Sequence, residues 1–245
     1  MTYAQPLRLC MNYFRRRRLG RFRKTFPPAF CKTIIDVGGT PDIWNTLNYP
    51  SVVTIVNTDR RELESSNGFT AVVGDGRRLP YPGNAFDLAF SNSVIEHVGD
   101  WRDMEQFAKE LRRVGKGYYC QTPNKWFPIE PHLGTLFLHW FPWLINRYFV
   151  VRYLTLWGMM NRPTRATAAK SLSQIRLLSK RELKSLFPDA NIIAERFMLL
   201  PKSYTAIRSD HCIPRPLKAD RRLSQLQSIL PVGGCEVAAS RVDGA

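Results

Sequence analysis

The sequence predicts an α/β protein built on a doubly wound sheet of seven strands, and three observations lead there. Short apolar, β-favouring runs recur along the chain, each closed by glycine or small polar residues. Segments with helical spacing or helix caps stand between several of them. The first run is followed at once by a tight turn and a helix start, the unit in which open α/β sheets hold their ligands. At 245 residues the chain suits one such domain with embellishments.

The opening unit is Thr33 to Asp42. Ile34, Ile35 and Val37 make a strand, Gly38 and Gly39 break it, and Pro41 and Asp42 open a helix ending near Leu47. The glycines let backbone come close to a ligand, Thr40 can cap the helix, Pro41 suits its first turn and Asp42 its positive end. A dinucleotide would want Gly-x-Gly-x-x-Gly and free helix N–H groups for its pyrophosphate. Only two glycines are present, and Asp36 and Asp42 flank them, so phosphate would be poorly received. A ligand with a cationic centre, an amine and a ribose is more compatible with those carboxylates, and S-adenosylmethionine (SAM) has all three.

Val52 to Val56 is a second buried-strand run, ending in Asn57-Thr58-Asp59. A polar group at the tip of the neighbouring strand is where a ribose would be held, so Asn57 and Asp59 are placed there jointly. The alternative is an Asx turn closing the strand. Ala71-Val72-Val73 is a third strand, and Asp75, set between Gly74 and Gly76, could accept a hydrogen bond from an adenine amino group, with Leu79 as an apolar wall. The fourth strand runs through Phe86-Asp87-Leu88-Ala89-Phe90-Ser91, followed by Asn92-Ser93-Val94-Ile95-Glu96-His97-Val98.

This series of an Asp-x-Gly-Gly turn, a polar second tip, Gly-Asp-x-x-x-Leu-Pro-Tyr, Phe-Asp-Leu-Ala-Phe-Ser-Asn and Glu-His-Val resembles the class I SAM-dependent methyltransferases, in particular their small-molecule, methyltransferase type 11-like branch. The resemblance spans residues 33–123 and, more loosely, 178–208. It implies a Rossmann-like sheet with one antiparallel strand, SAM as cofactor and methyl transfer as activity. Carried over by position, it implies Asp36, Gly38 and Gly39 around the methionine part of SAM, Asn57 or Asp59 at the ribose, and Asp75 with Gly76 at the adenine. Ser91 and Asn92 would close the pocket. Thr40 and Asp42 stand where that family more often has glycines, and Asn57 where it more often has an acid.

Trp101, Met104, Phe107, Ala108, Leu111 and Val114 fall at helical spacing and predict an amphipathic helix over 101–114 that packs on the sheet. Residues 117–122 make strand five, in which Cys120 reads as a small buried residue rather than a nucleophile. An insertion rich in Trp, Phe and Tyr follows over 124–170. Pro142, His139, Arg147 and Arg152 interrupt it too often for a membrane span, so it is expected to form a helical lid over the acceptor pocket. Ser179 and Glu182 have the spacing of a capping box, and 191–196 and 203–208 complete the strands. Residues 211–245 read as a loosely attached tail.

Thirty-six Lys and Arg against twenty Asp and Glu give a net charge of +16, and residues 1–32 hold nine of the basic residues and no acid. They read as a basic arm ahead of a domain at 33–210, suited to an anionic membrane surface or to nucleic acid, or as a solvated helix on one edge of the domain. Five cysteines without Cys-x-x-Cys or zinc-ligand spacing suggest neither a disulfide framework nor a metal site, and point to a reduced, cytoplasmic protein. Arginines without an apolar core behind them are not a signal peptide, so mature and full-length chains are expected to coincide.

Methyl transfer from a sulfonium chiefly requires alignment; a general base is optional. The candidates are His97, after strand four, and His132 with Glu130, after strand five. The expected acceptor is a small or lipid-like molecule at oxygen or nitrogen, with the protein peripheral to a membrane as one variant. An RNA acceptor is the runner-up, disfavoured because Asn92-Ser93-Val94-Ile95 stands where amino-group methylators of bases carry Asn/Asp-Pro-Pro-Tyr/Phe. A non-catalytic SAM-binding protein is the third reading.

Overall fold

Alternation along β1 (Thr33–Val37) divides the molecule into its two layers. Ile35 and Val37 face one side of the sheet and Ile34 the other, and all three are buried. The computed structural model describes residues 4–49, 52–64, 68–130, 135–136, 162, 164 and 175–209. Preceding β1 is α1 (Ala4–Thr25); after it come α2 (Pro41–Leu47), β2 (Val52–Asn57), β3 (Thr70–Val73), β4 (Phe86–Asn92), α3 (Trp101–Val114) and β5 (Gly115–Pro123). A short ribbon pairs β6 (Ile129–Glu130) with β7 (Thr135–Leu136), and α4 (Lys180–Leu186) precedes the hairpin of β8 (Asn191–Phe197) and β9 (Leu200–Arg208). All described residues belong to one compact unit spanning Met1–Ile213.

The sheet has seven strands in the order β3-β2-β1-β4-β5-β9-β8. β1 lies parallel to β2 and β4, with Ile35 opposite Thr54 on one side and Ala89 on the other. Within this sheet β9 alone runs against the rest, pairing antiparallel with both β5 and β8. This is the expected doubly wound sheet with its single antiparallel strand. The last two strands are longer than predicted, because their hairpin zips to Phe197 opposite Leu200 across a bulge between Glu195 and Arg196.

On the face that carries Ile35, α3 and α4 bury Met104, Phe107, Leu111, Leu183 and Leu186 against Val37, Ala89, Tyr118 and Cys120. Both helices begin with a capping box, Asp100 with Asp103 and Ser179 with Glu182, which satisfies orphan N–H groups at each start. Thr40, by contrast, occupies the cap position of α2 without a side-chain capping bond. There Pro41 removes one donor and fixes the first φ, leaving the hydroxyl less to satisfy.

The opposite face is covered by α1 and α2. Phe22, fully buried, meets the rings of Phe26, Trp44, Tyr49, Phe90 and Tyr119 at centroid distances of 5.1–6.0 Å. Within the segment read as a basic arm, Leu19, Phe22 and Phe26 therefore enter this layer of the core, while Arg16, Arg17 and Arg23 are exposed. Most of the 124–170 insertion, with its expected helical lid, and the tail beyond residue 210 lie outside the described residues. No described helix is long and apolar enough to cross a membrane.

Candidate active site

The chain leaves β1 toward β2 on one side and lies against β4 on the other, so a crevice opens where strand order reverses, beyond the carboxyl ends of these strands. It encloses about 350 Å³, within the range of small-molecule sites, and Gly38, Asn57, Asp75, Gly76 and His97 are among its walls. The structure thus brings together residues from four of the predicted motifs.

Gly38 follows β1 at φ +79°, and its N–H reaches the Val56 carbonyl at 2.7 Å. A Cβ there would lie 2.4 Å from Cγ1 of Val94, so the turn demands glycine twice over, by conformation and by space. Gly39 is constrained by its predecessor in the motif: a Cβ would fall 1.8 Å from Oδ2 of Asp36. Gly76 packs its bare backbone between Phe107 and Val37.

Asp36 is fully buried and does not line the crevice. Trp44 donates its indole N–H to Oδ2 at 2.7 Å, while Oδ1 lacks a hydrogen-bond partner among the described residues. Burial pushes its carboxyl up to about 7, with the Trp44 bond pulling the other way.

Asn57 stands on the crevice wall, its amide held at both ends. Nδ2 donates to the Gly39 carbonyl at 3.0 Å and Oδ1 accepts from the Asp59 N–H at 3.0 Å, the Asx turn considered as the alternative. Asp59 is not on the wall. It caps the short 3-10 turn at Arg60–Leu63 and pairs with Arg61 at 2.7 Å, which holds its carboxyl below the usual range.

Asp75 does line the crevice, and Arg77 grips it through Nε and Nη2 at 2.9 and 2.6 Å, holding its carboxyl low. The same guanidinium reaches Asp103 at 2.7 Å. Leu79 does not line the crevice: it is buried in the core, and its N–H donates to Glu110 at 2.8 Å. The apolar wall comes instead from Phe107, Val94, Val37 and Val56.

Ser91 is buried within β4 and Asn92 accepts from Arg18 at 3.0 Å; neither is on the wall. Ser93 takes that place, turned toward it by φ +57° and anchored through its hydroxyl to Gln121 at 2.8 Å. Cys120 is buried and its thiol pushed well up by burial. His97 lies on the wall, whereas His132 lies outside the described residues. Arg77, Ser93, Val94 and Phe107 were not singled out as site residues. Phe107 was legible only as a core residue of α3, and it serves both purposes.

Sheet order and crevice are those of a class I methyltransferase fold. The family model described as a methyltransferase domain, of type 11, matches residues 45–117. A SAM-dependent methyltransferase from Archaeoglobus fulgidus superposes over 79% of this chain and 93% of its own at 12% identity, with a TM-score of 0.51. One from Methanosarcina mazei does so over 73% and 91%, at 17% identity and a TM-score of 0.47. With a protein of Galdieria sulphuraria the overlap is 38% of this chain and 39% of that one, at 18% identity and a TM-score of 0.34. No curated protein sequence matches significantly. Residues 45–117 thus match a methyltransferase-domain model within a fold shared with SAM-dependent methyltransferases, which implies S-adenosyl-L-methionine as cofactor.

Proposed function

We propose that the protein moves the methyl group of SAM to a small-molecule or lipid-like acceptor, at oxygen or nitrogen. The observation that carries this reading is the crevice at the strand-order reversal, with bare backbone at Gly38 and Gly76 and mixed donors and acceptors at Asn57, Asp75, Ser93 and His97. Its chemistry fits SAM better than a phosphate ester. The guanidinium on the wall, that of Arg77, is already engaged by two carboxylates, so it offers an incoming anion little net positive charge.

In this reading the Gly38–Gly39 turn, backed by Asp36, receives the methionine end. Asn57 meets the ribose, Asp59 supports its loop through the Asx turn, and Asp75 with Gly76 takes the adenine between Phe107 and Val94. Ser91 and Asn92 hold the end of β4 in place behind Ser93. SAM, once bound, supplies a methyl group activated by its sulfonium charge. The chain's share is then alignment of the acceptor, a contribution on the order of 7–11 kcal/mol in well-oriented reactions. For a hydroxyl acceptor, His97 is the proposed base, with His132 a second candidate, for about 10²–10⁴-fold.

Calorimetry with SAM and S-adenosylhomocysteine, on wild type and on folded Asp36→Ala and Asp75→Ala variants, tests the cofactor site. Micromolar binding lost in both variants is expected; no binding by wild type would sink the assignment. Release of S-adenosylhomocysteine in the presence of amine, phenol and lipid acceptors then tests the reaction. Binding without turnover on any of them would favour a non-catalytic SAM-binding protein.

A further inference from the structure

The hairpin between β8 and β9 breaks two local rules at its tip. Phe197-Met198-Leu199-Leu200 are four consecutive large apolar residues, with Met198 85% and Leu199 86% exposed. Met198 also sits at φ +53°, a turn conformation that glycine or asparagine adopts with less strain. A polar turn would join these strands more easily. The hairpin itself therefore does not account for the apolar tip.

The tip lies at the ligand edge of the sheet. β8 runs parallel to β5, since both pair antiparallel with β9, so Phe197 emerges on the side where β1, β2 and β4 end at the crevice. Trp126, 60% exposed, follows β5 out of the same edge, and the ring of its neighbour Phe127 is 6.4 Å from that of Phe197.

α1 brings charge to this corner. Its Phe14 packs edge-on against Phe197 at 5.6 Å, and Nζ of Lys202 sits 4.0 Å above the Phe14 ring. The adjoining positions of the helix carry Arg16 and Arg17, both exposed and without a carboxylate partner among the described residues, and Tyr13, 59% exposed. Arg196, at the base of the tip, is exposed too, while the nearest acid along the hairpin, Glu195, is buried and accepts from Ser203.

We infer that this corner docks on an anionic bilayer, the Phe197–Leu200 tip entering the acyl boundary while Arg16, Arg17 and Arg196 meet lipid phosphates and Tyr13 and Trp126 lie at headgroup depth. Nucleic acid would answer the arginines but leave the apolar tip in water. A neutral apolar partner would cover the tip and leave the arginines unanswered. Only a surface that is apolar within and anionic at its rim answers both. The inference goes beyond the methyl-transfer reading and stands whatever the acceptor; it would turn the mouth of the crevice toward the membrane.

The test is co-sedimentation of the full chain with phosphatidylcholine vesicles, with and without phosphatidylserine. Two double variants accompany it, Met198→Asp with Leu199→Asp and Arg16→Glu with Arg17→Glu, each checked for unchanged thermal unfolding. Wild type is expected to bind the anionic vesicles, less so as salt rises. The tip variant should bind roughly tenfold or more weakly, and the double arginine variant about 25-fold or more weakly. No binding by wild type, or a tip variant that binds as tightly, overturns the proposal. So does a wild type that dimerises through the tip in light scattering, or one that retains an RNA oligonucleotide but not vesicles.

Discussion

Trp44 donates its indole N–H to the buried carboxyl of Asp36 across 2.7 Å, joining the first turn of α2 to the strand that carries the glycine motif. Asp36 has no charged partner among the described residues, so this one donor does much to make its burial tolerable. Trp44→Phe keeps the ring's bulk and removes the donor. A loss of about 1–3 kcal/mol is expected, as for a buried polar group left unsatisfied. Because the bond favours the ionised carboxyl, the loss should be larger at pH 8 than at pH 5. Urea unfolding at both values checks this; equal losses would mean that the bond does not discriminate between the two forms.

Asp36 itself should leave a mark on stability against pH. Its folded-state value of about 7 lies above the ordinary 3.8, so the folded protein holds a proton that the unfolded chain releases. The contribution is fully present below about pH 4 and is lost as pH rises toward 7, by on the order of 4 kcal/mol in all. Asp36→Asn removes this titration. The stability difference between the Asp36→Asn variant and wild type should therefore grow in the variant's favour from pH 4 to 7 and then level off. Parallel profiles would show that the carboxyl is ionised in the folded protein throughout.

Phe22 carries the clearest prediction about the N-terminal segment. It is fully buried among five aromatic rings contributed by α2, β4, β5 and the residues just after α1 and α2. Phe22→Ala should destabilise the protein by about 3–5 kcal/mol in thermal or urea unfolding. Arg23→Ala, one residue on but exposed, should stay within about 0.5 kcal/mol of wild type. Equal, small effects would mean that the helix does not dock in solution.

Periodicity made the sheet legible, because buried parallel strands are short apolar runs and α3 repeats its apolar residues at helical spacing. Caps at Ser179 and turns at Gly38 were legible for a related reason: their chemistry is local. The docking of α1 was only one of the readings left open, and its depth was not legible. Arg15 to Arg18 dominate its composition, and nothing local says that Phe22 has a slot between Trp44 and Phe90, a contact made across distant parts of the chain. In the site, the glycines and Asp75 were visible as motif letters, but their partners were not. Arg77 is two residues from Asp75, yet its second bond goes to Asp103, and Asn57 also bonds the Gly39 carbonyl and the Asp59 N–H. Leu79 illustrates the reverse error: an apolar residue beside a site motif was given to the ligand when the core claimed it.

The clamp on Asp75 separates positioning from binding. Arg77 holds that carboxylate through two nitrogens and ties it to Asp103 at the start of α3, so the acceptor atoms facing the crevice are fixed by a pair that is itself two-fifths exposed. Pairs so exposed contribute at most about 1 kcal/mol, and Arg77→Ala should leave unfolding nearly unchanged. If the guanidinium positions Asp75 for the adenine, the variant should bind SAM about tenfold more weakly by calorimetry, with Asp75→Ala weaker still. Tighter binding in Arg77→Ala would mean the opposite: the arginine competes with the ligand for the same carboxylate oxygens and must swing toward Asp103 before SAM can enter.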